Sequence, residues 1–241
     1  ELHKGTGATS IMANYRDVTI ANHLPKTILR HVRTVLMHIA PGVVNTTQWG
    51  SGFHGGDTGI AHLYIRNCNN IAQALKMCSA TLFVDLKSAF ASMLRHLVLD
   101  VDQGDEFWLH HLRGLGYSDD EVREIYMCAT ATVFADTKGA SAAALAFANA
   151  AHEYTWATTE GLPETMYTKL GTLAGMPLAD LLFVIAMARV LKTVRQALDE
   201  AKLTTRVVPP GKRQDAFYDL VEAAFIDDSA YPIIAHARYI I

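Results

Sequence analysis

Two adjacent carboxylates, Asp227-Asp228, carry the clearest chemical capacity in this chain, and they follow an apolar run of Val221, Ala223, Ala224, Phe225 and Ile226. A buried, β-prone run that ends in paired charges is costly unless something compensates for them. Two compensations suit these residue types. In a tight hairpin, Asp tolerates turn geometry and bonds the nearby backbone with its own side chain. In a divalent-metal site, one or two carboxylates hold a hard cation together with substrate phosphates. A further acid, Asp85, ends the short apolar strand Thr81-Leu82-Phe83-Val84 at a strand-to-helix junction, where a lone Asp commonly caps a helix.

The elements that must position these acids follow from periodicity. An extended segment spans residues 11–20, and Ile28, Leu29, Val32, Val35 and Leu36 predict a helix from Pro25 to His38, with Lys26, Arg30 and Arg33 on its outer face. Gly50, Gly52 and Gly55 satisfy GxGxxG. No buried strand precedes them, however, and Asn69, Asn70 and Gln73 stand where a dinucleotide site needs an acid, so a Rossmann reading is rejected. Asp57 caps a helix running to about Met77. Ala89, Phe90, Met93, Leu94 and Leu97 predict a helix after Asp85, and two more cover residues 106–115 and 119–131, the second with a Ser118/Glu121 capping box. A helix over 141–151, a hairpin of 155–159 with 166–170, a long helix after Pro177, an exposed basic turn at 209–213 and a strand over 216–225 complete the reading.

With 241 residues, 50% of them hydrophobic, the chain can bury a substantial core, and a net charge of −3 announces no nucleic-acid partner in bulk. Cys68, Cys78 and Cys128 are odd in number and lack CxxC spacing, which fits buried thiols in a reducing, intracellular compartment. No apolar run is long enough to span a bilayer, so no membrane partner is expected. Both ends read as cuts in a longer protein.

Three segments in order carry a resemblance. Leu82-Phe83-Val84-Asp85-Leu86-Lys87-Ser88-Ala89-Phe90, then Gly171-Thr172-Leu173-Ala174-Gly175-Met176-Pro177-Leu178-Ala179-Asp180-Leu181-Leu182-Phe183, then Ala224-Phe225-Ile226-Asp227-Asp228 resemble palm motifs A, B and C of a reverse transcriptase. Tyr15-Arg16-Asp17-Val18 with Lys26, and Gln48 through Phe53, resemble the fingers motifs of the non-LTR retrotransposon branch. The resemblance implies an α+β fingers-and-palm fold with a small antiparallel sheet backed by helices. Fingers would occupy about 1–80 and palm about 81–241, with a helical insertion at 103–153 and no thumb. It implies RNA-templated DNA synthesis by a two-metal mechanism, with Mg²⁺ or Mn²⁺ held by Asp85 and Asp227 and supported by Asp228.

By the same resemblance Arg16, Lys26, Leu86, Phe90 and Gly175 would bind the deoxynucleoside triphosphate, with Phe90 excluding a 2′-hydroxyl. Gln48, Gly52 and Phe53 would meet the RNA template with its DNA primer. The remainder of a polyprotein, a thumb and an endonuclease included, and a nuclear location are further implications. The chain departs from the pattern at Ala174, where Gln is usual, at Met176, where Asp is frequent, and at Ala91. These departures keep open a catalytically decayed palm that only binds nucleic acid. A maturase-like or RNA-dependent RNA polymerase palm is the other alternative.

Overall fold

The computed structural model of the chain describes residues 2–5, 7–10, 15–16, 18–55, 57–99, 101, 105–130, 141–158, 163–208 and 217–236. In chain order its elements are β1 (Leu2–His3), β2 (Tyr15–Arg16), α1 (His23–Met37), β3 (Gln48–Trp49), α2 (Thr58–Ala74), β4 (Cys78–Asp85), α3 (Ala89–Ser92), α4 (Asp105–Gly114), α5 (Asp119–Thr130), α6 (Ala142–Glu153), β5 (Thr155–Thr158), β6 (Thr165–Thr168), α7 (Ala179–Glu200), β7 (Thr205–Val207), β8 (Tyr218–Leu220), β9 (Ala223–Phe225) and β10 (Asp228–Ala235). The mixture of segregated helices and small sheets is α+β. No helix among the described residues is long and apolar enough to cross a membrane.

Local chemistry accounts for most of these boundaries. Leu29, Val32 and Leu36 bury one stripe of α1. Asp57 caps α2 by accepting from the Gly59 amide at 2.7 Å, and Ser141 caps α6 through the Ala144 amide. The Ser118/Glu121 capping box ahead of α5 forms in both directions, with the Ser118 amide donating to Glu121 at 2.8 Å.

The chain divides into two compact units, one of Glu1–Gly42 with Ser88–Phe183 and one of Val43–Lys87 with Val184–Ile241. In the first, α1 packs on α6, and Leu112 of α4 and Val122 of α5 form a small core with Leu94, Leu97, Ile125 and Tyr126. In the second, the sheet runs β3-β9-β10-β4, with β4 antiparallel to β10 over their whole lengths and β3 parallel to β9. Helix α2 covers it, and Ala72, Val207 and Ile234 form the core there.

Three expectations are corrected. The helix predicted through Leu97 stops at Ser92, because the Phe90 and Met93 carbonyls accept from Thr172 and Gly171 at 2.9 Å each instead of continuing a helical ladder. The strand predicted over 216–225 breaks in two. Between β8 and β9, the Val221 carbonyl accepts from the Tyr64 hydroxyl at 2.9 Å and the buried Glu222 turns to Arg195. Finally, Cys68 is buried but Cys78 is exposed, since β4 is the edge of its sheet. The basic turn at 209–213 and most of the extended segment before Val18 lie outside the described residues.

Candidate functional site

In the second unit, β9 and β10 form a hairpin in which Phe225 pairs with Asp228, leaving Ile226 and Asp227 as the two-residue turn. The register of β10 against β4 sets Asp228 directly opposite Asp85. The three acids named from the sequence therefore gather at one end of one sheet, with Asp228 as the cross-strand partner of Asp85 and Asp227 next to it in the turn. Asp85 and Asp228 are exposed, and among the described residues neither joins an ion pair. Like charges directly opposite on a ladder repel each other. The donor set, hard carboxylate oxygens, fits a divalent cation. As the side chains stand, no group of three or more His, Cys, Asp or Glu residues converges as a ready metal site among the described residues.

The turn is held from beneath. Ile226 adopts φ +56°, a left-handed conformation rare for a β-branched residue, and its amide donates to the Trp49 carbonyl at 3.3 Å. Gly50, at φ +97°, lies so close that a Cβ there would approach Ile226 Cγ1 to 2.6 Å. The start of β9 is held by Arg195, which donates to Glu222 at 2.5 and 3.0 Å and to Thr47, just before β3, at 2.7 Å. Trp49 packs against Tyr64, whose phenol burial pushes above its ordinary range.

This arrangement gives Gln48 and Phe53 a supporting place rather than a surface one. Gln48 is 1% exposed, accepts from the Asn45 amide at 3.0 Å and donates to the Val184 carbonyl at 3.1 Å. Phe53 is 3% exposed, and its amide donates to the Gly50 carbonyl at 2.8 Å. Both side chains, expected at a template, are buried among the chain's own residues. Gly52 is exposed at φ +89°. Leu86 is half-buried just past β4.

In the first unit, a cavity of about 520 Å³ is lined by Lys26, Arg30, Arg33, Phe90, Gly175 and Asp180, with Ala174, Met176, Pro177 and Ala179. Lys26, Phe90 and Gly175 were expected at a nucleotide site, and they are brought together here. Phe90 is braced by Phe183, ring centroids 5.0 Å apart. Arg33 is locked to Asp180 by two bonds of 2.5 and 2.9 Å and to the Pro177 carbonyl at 2.6 Å. Lys26 and Arg30 form no ion pair among the described residues, so they add unneutralised positive charge to the lining. Gly175, at φ +94°, is required by the chain itself: a Cβ would come within 2.9 Å of the Thr19 carbonyl, and the Thr19 amide donates to the Ala174 carbonyl at 2.7 Å.

Arg30, Arg33 and Asp180 line the cavity without a sequence expectation of a site role. The spacing of Lys26, Arg30 and Arg33, which puts all three on one face of α1, is the signal for the two arginines. Arg16 lies in β2, and its side chain falls outside the described residues. No protein-family model matches this chain, and no curated protein matches it either.

Proposed function

We propose that this chain is the fingers-and-palm part of an RNA-templated DNA polymerase of the non-LTR reverse transcriptase type, working within a longer protein. One observation supports the reading above all others: the register that opposes Asp85 and Asp228 at the sheet end, beside Asp227 in the turn. Asp85, Asp227 and Asp228 would hold Mg²⁺ or Mn²⁺, which when bound supplies charge neutralisation at triphosphate oxygens and activation of a primer 3′-hydroxyl. The paired strands hold two of these carboxylates on a common scaffold. In the other unit, Lys26 and Arg30 offer charge to a triphosphate, and Phe90, braced by Phe183, offers a wall against a 2′-hydroxyl. Ala174 and Met176 supply no hydrogen bond to a nucleotide, so the pocket would select by shape and charge.

A second reading, a palm that binds nucleic acid without catalysis, is kept open by Ala174 and Met176, which stand where the resembled motif usually carries Gln and Asp. Titration with Mn²⁺ followed by thermal unfolding separates the two. On the polymerase reading the wild-type chain is stabilised by the cation, and Asp85→Asn and Asp227→Asn lose that gain. If neither cation stabilises the fold and Asp227→Asn changes nothing, the polymerase reading is wrong.

A further inference from the structure

Strands β5 and β6, which follow α6, form a two-stranded ribbon that pairs with no other strand among the described residues. Such a ribbon is marginal by itself. This one is rooted by Arg95, a fully buried guanidinium whose acceptors are all neutral. It donates to the carbonyl and hydroxyl of Thr168 at 3.0 and 3.1 Å, and to the carbonyls of His152, Leu170 and Gly171 at 2.5, 2.7 and 2.8 Å. Thr155, buried and opposite Thr168, donates its hydroxyl to the Thr168 carbonyl at 2.8 Å.

The root identifies the inward face as that of Thr155 and Thr168. Strand residues alternate sides, so Trp156, Tyr167, Thr158 and Thr165 share the outward face, with Trp156 directly opposite Tyr167 and Thr158 opposite Thr165. Trp156 is 65% exposed and Tyr167 is 76% exposed, and Tyr154, just before β5, is 80% exposed. The Trp156 and Tyr167 rings touch no other ring among the described residues, and neither the indole N–H nor the phenol has a hydrogen-bond partner there. Lys169 follows Tyr167 at the root, and the acidic Glu164 lies at the far end of β6.

Exposed aromatic rings on a fixed mount, with the Thr158/Thr165 pair beside them on the same strand face, suit the flat π-faces of nucleobases. A neighbouring cation suits the phosphates between them. We infer that the Trp156/Tyr167 face of this ribbon is a stacking platform for unpaired nucleotides of a single-stranded nucleic acid. The platform lies within one unit and needs neither cation nor triphosphate, so it stands or falls separately from the polymerase reading.

The test is fluorescence anisotropy of the whole chain with a short labelled oligothymidylate in EDTA, with circular dichroism to verify the fold of each variant. Trp156→Ala and Tyr167→Ala should each weaken binding about tenfold. Trp156→Phe should retain most of the affinity, and an abasic strand of equal length should bind the wild-type chain as weakly as Trp156→Ala binds the normal strand. The inference is overturned if Trp156→Ala binds as well as the wild type, or if the abasic strand or a duplex competes equally. It is overturned too if the wild-type chain self-associates in a manner that Trp156→Ala abolishes, which would mark the face as a contact between copies.

Discussion

Replacing Gly50 with Ala isolates the contact that shapes the acidic turn. Two costs follow from its position. An L side chain at φ +97° is strained by about 1–2 kcal/mol, and the new Cβ would sit 2.6 Å from Ile226 Cγ1, an overpacking of about 1–3 kcal/mol. Gly50→Ala alone should therefore destabilise the chain by roughly 3 kcal/mol. Ile226 is itself held at φ +56°, so Ile226→Gly removes both the strain at that position and the Cγ1 atom the new Cβ would meet. In the double variant only the backbone cost at position 50 remains. The coupling between the two sites should be about 1–2 kcal/mol, with the double variant more stable than the sum of the singles implies. Urea unfolding followed by circular dichroism for the four proteins measures it. Strict additivity, within about 0.5 kcal/mol, would refute the claim that Gly50 is demanded by Ile226.

Other outcomes follow from the same structure. Burial, opposed only in part by the Nδ1–H bond to the Ala148 carbonyl, holds His152 at a pKa of about 4 against 6.5. Between those values the unfolded chain binds a proton that the folded chain does not. Stability should therefore fall by up to about 3 kcal/mol as pH drops from about 6.5 to about 4, and His152→Phe should flatten that part of a pH series of unfolding curves. Asp228→Asn should leave the cation-free chain as stable as the wild type or slightly more so, by about 0.5 kcal/mol, because it relieves the repulsion with Asp85; in saturating Mn²⁺ the order should reverse, as melting curves would register. Arg33→Lys keeps the charge but loses the two-pronged grip on Asp180, and a thermal melt should show a loss of about 1 kcal/mol. On the proposed function, Phe90→Ala should raise ribonucleotide use relative to deoxynucleotide use by about tenfold or more, read from competing incorporation rates.

Features that depend on neighbours along the chain were legible in the residues themselves. The stripes of α1 and α7, the caps at Asp57 and Ser118, the β5–β6 hairpin and the acidic turn at Asp227 all rest on contacts within a few positions, where spacing and side-chain chemistry are enough. What only the tertiary structure decided rests on distant partners. Residues near position 90 have helical periodicity, yet α3 ends early because Gly171 and Thr172 claim its carbonyls. Gln48 carries a polar side chain suited to a surface, but two backbone partners hold it inside. Gly175 reads as a place for a ligand to approach, and the Thr19 backbone is what approaches it. Asp85 and Asp228 share no local pattern at all; the β4–β10 register makes them opposite, because a strand's own sequence sets its two faces while its partner sets what each residue meets.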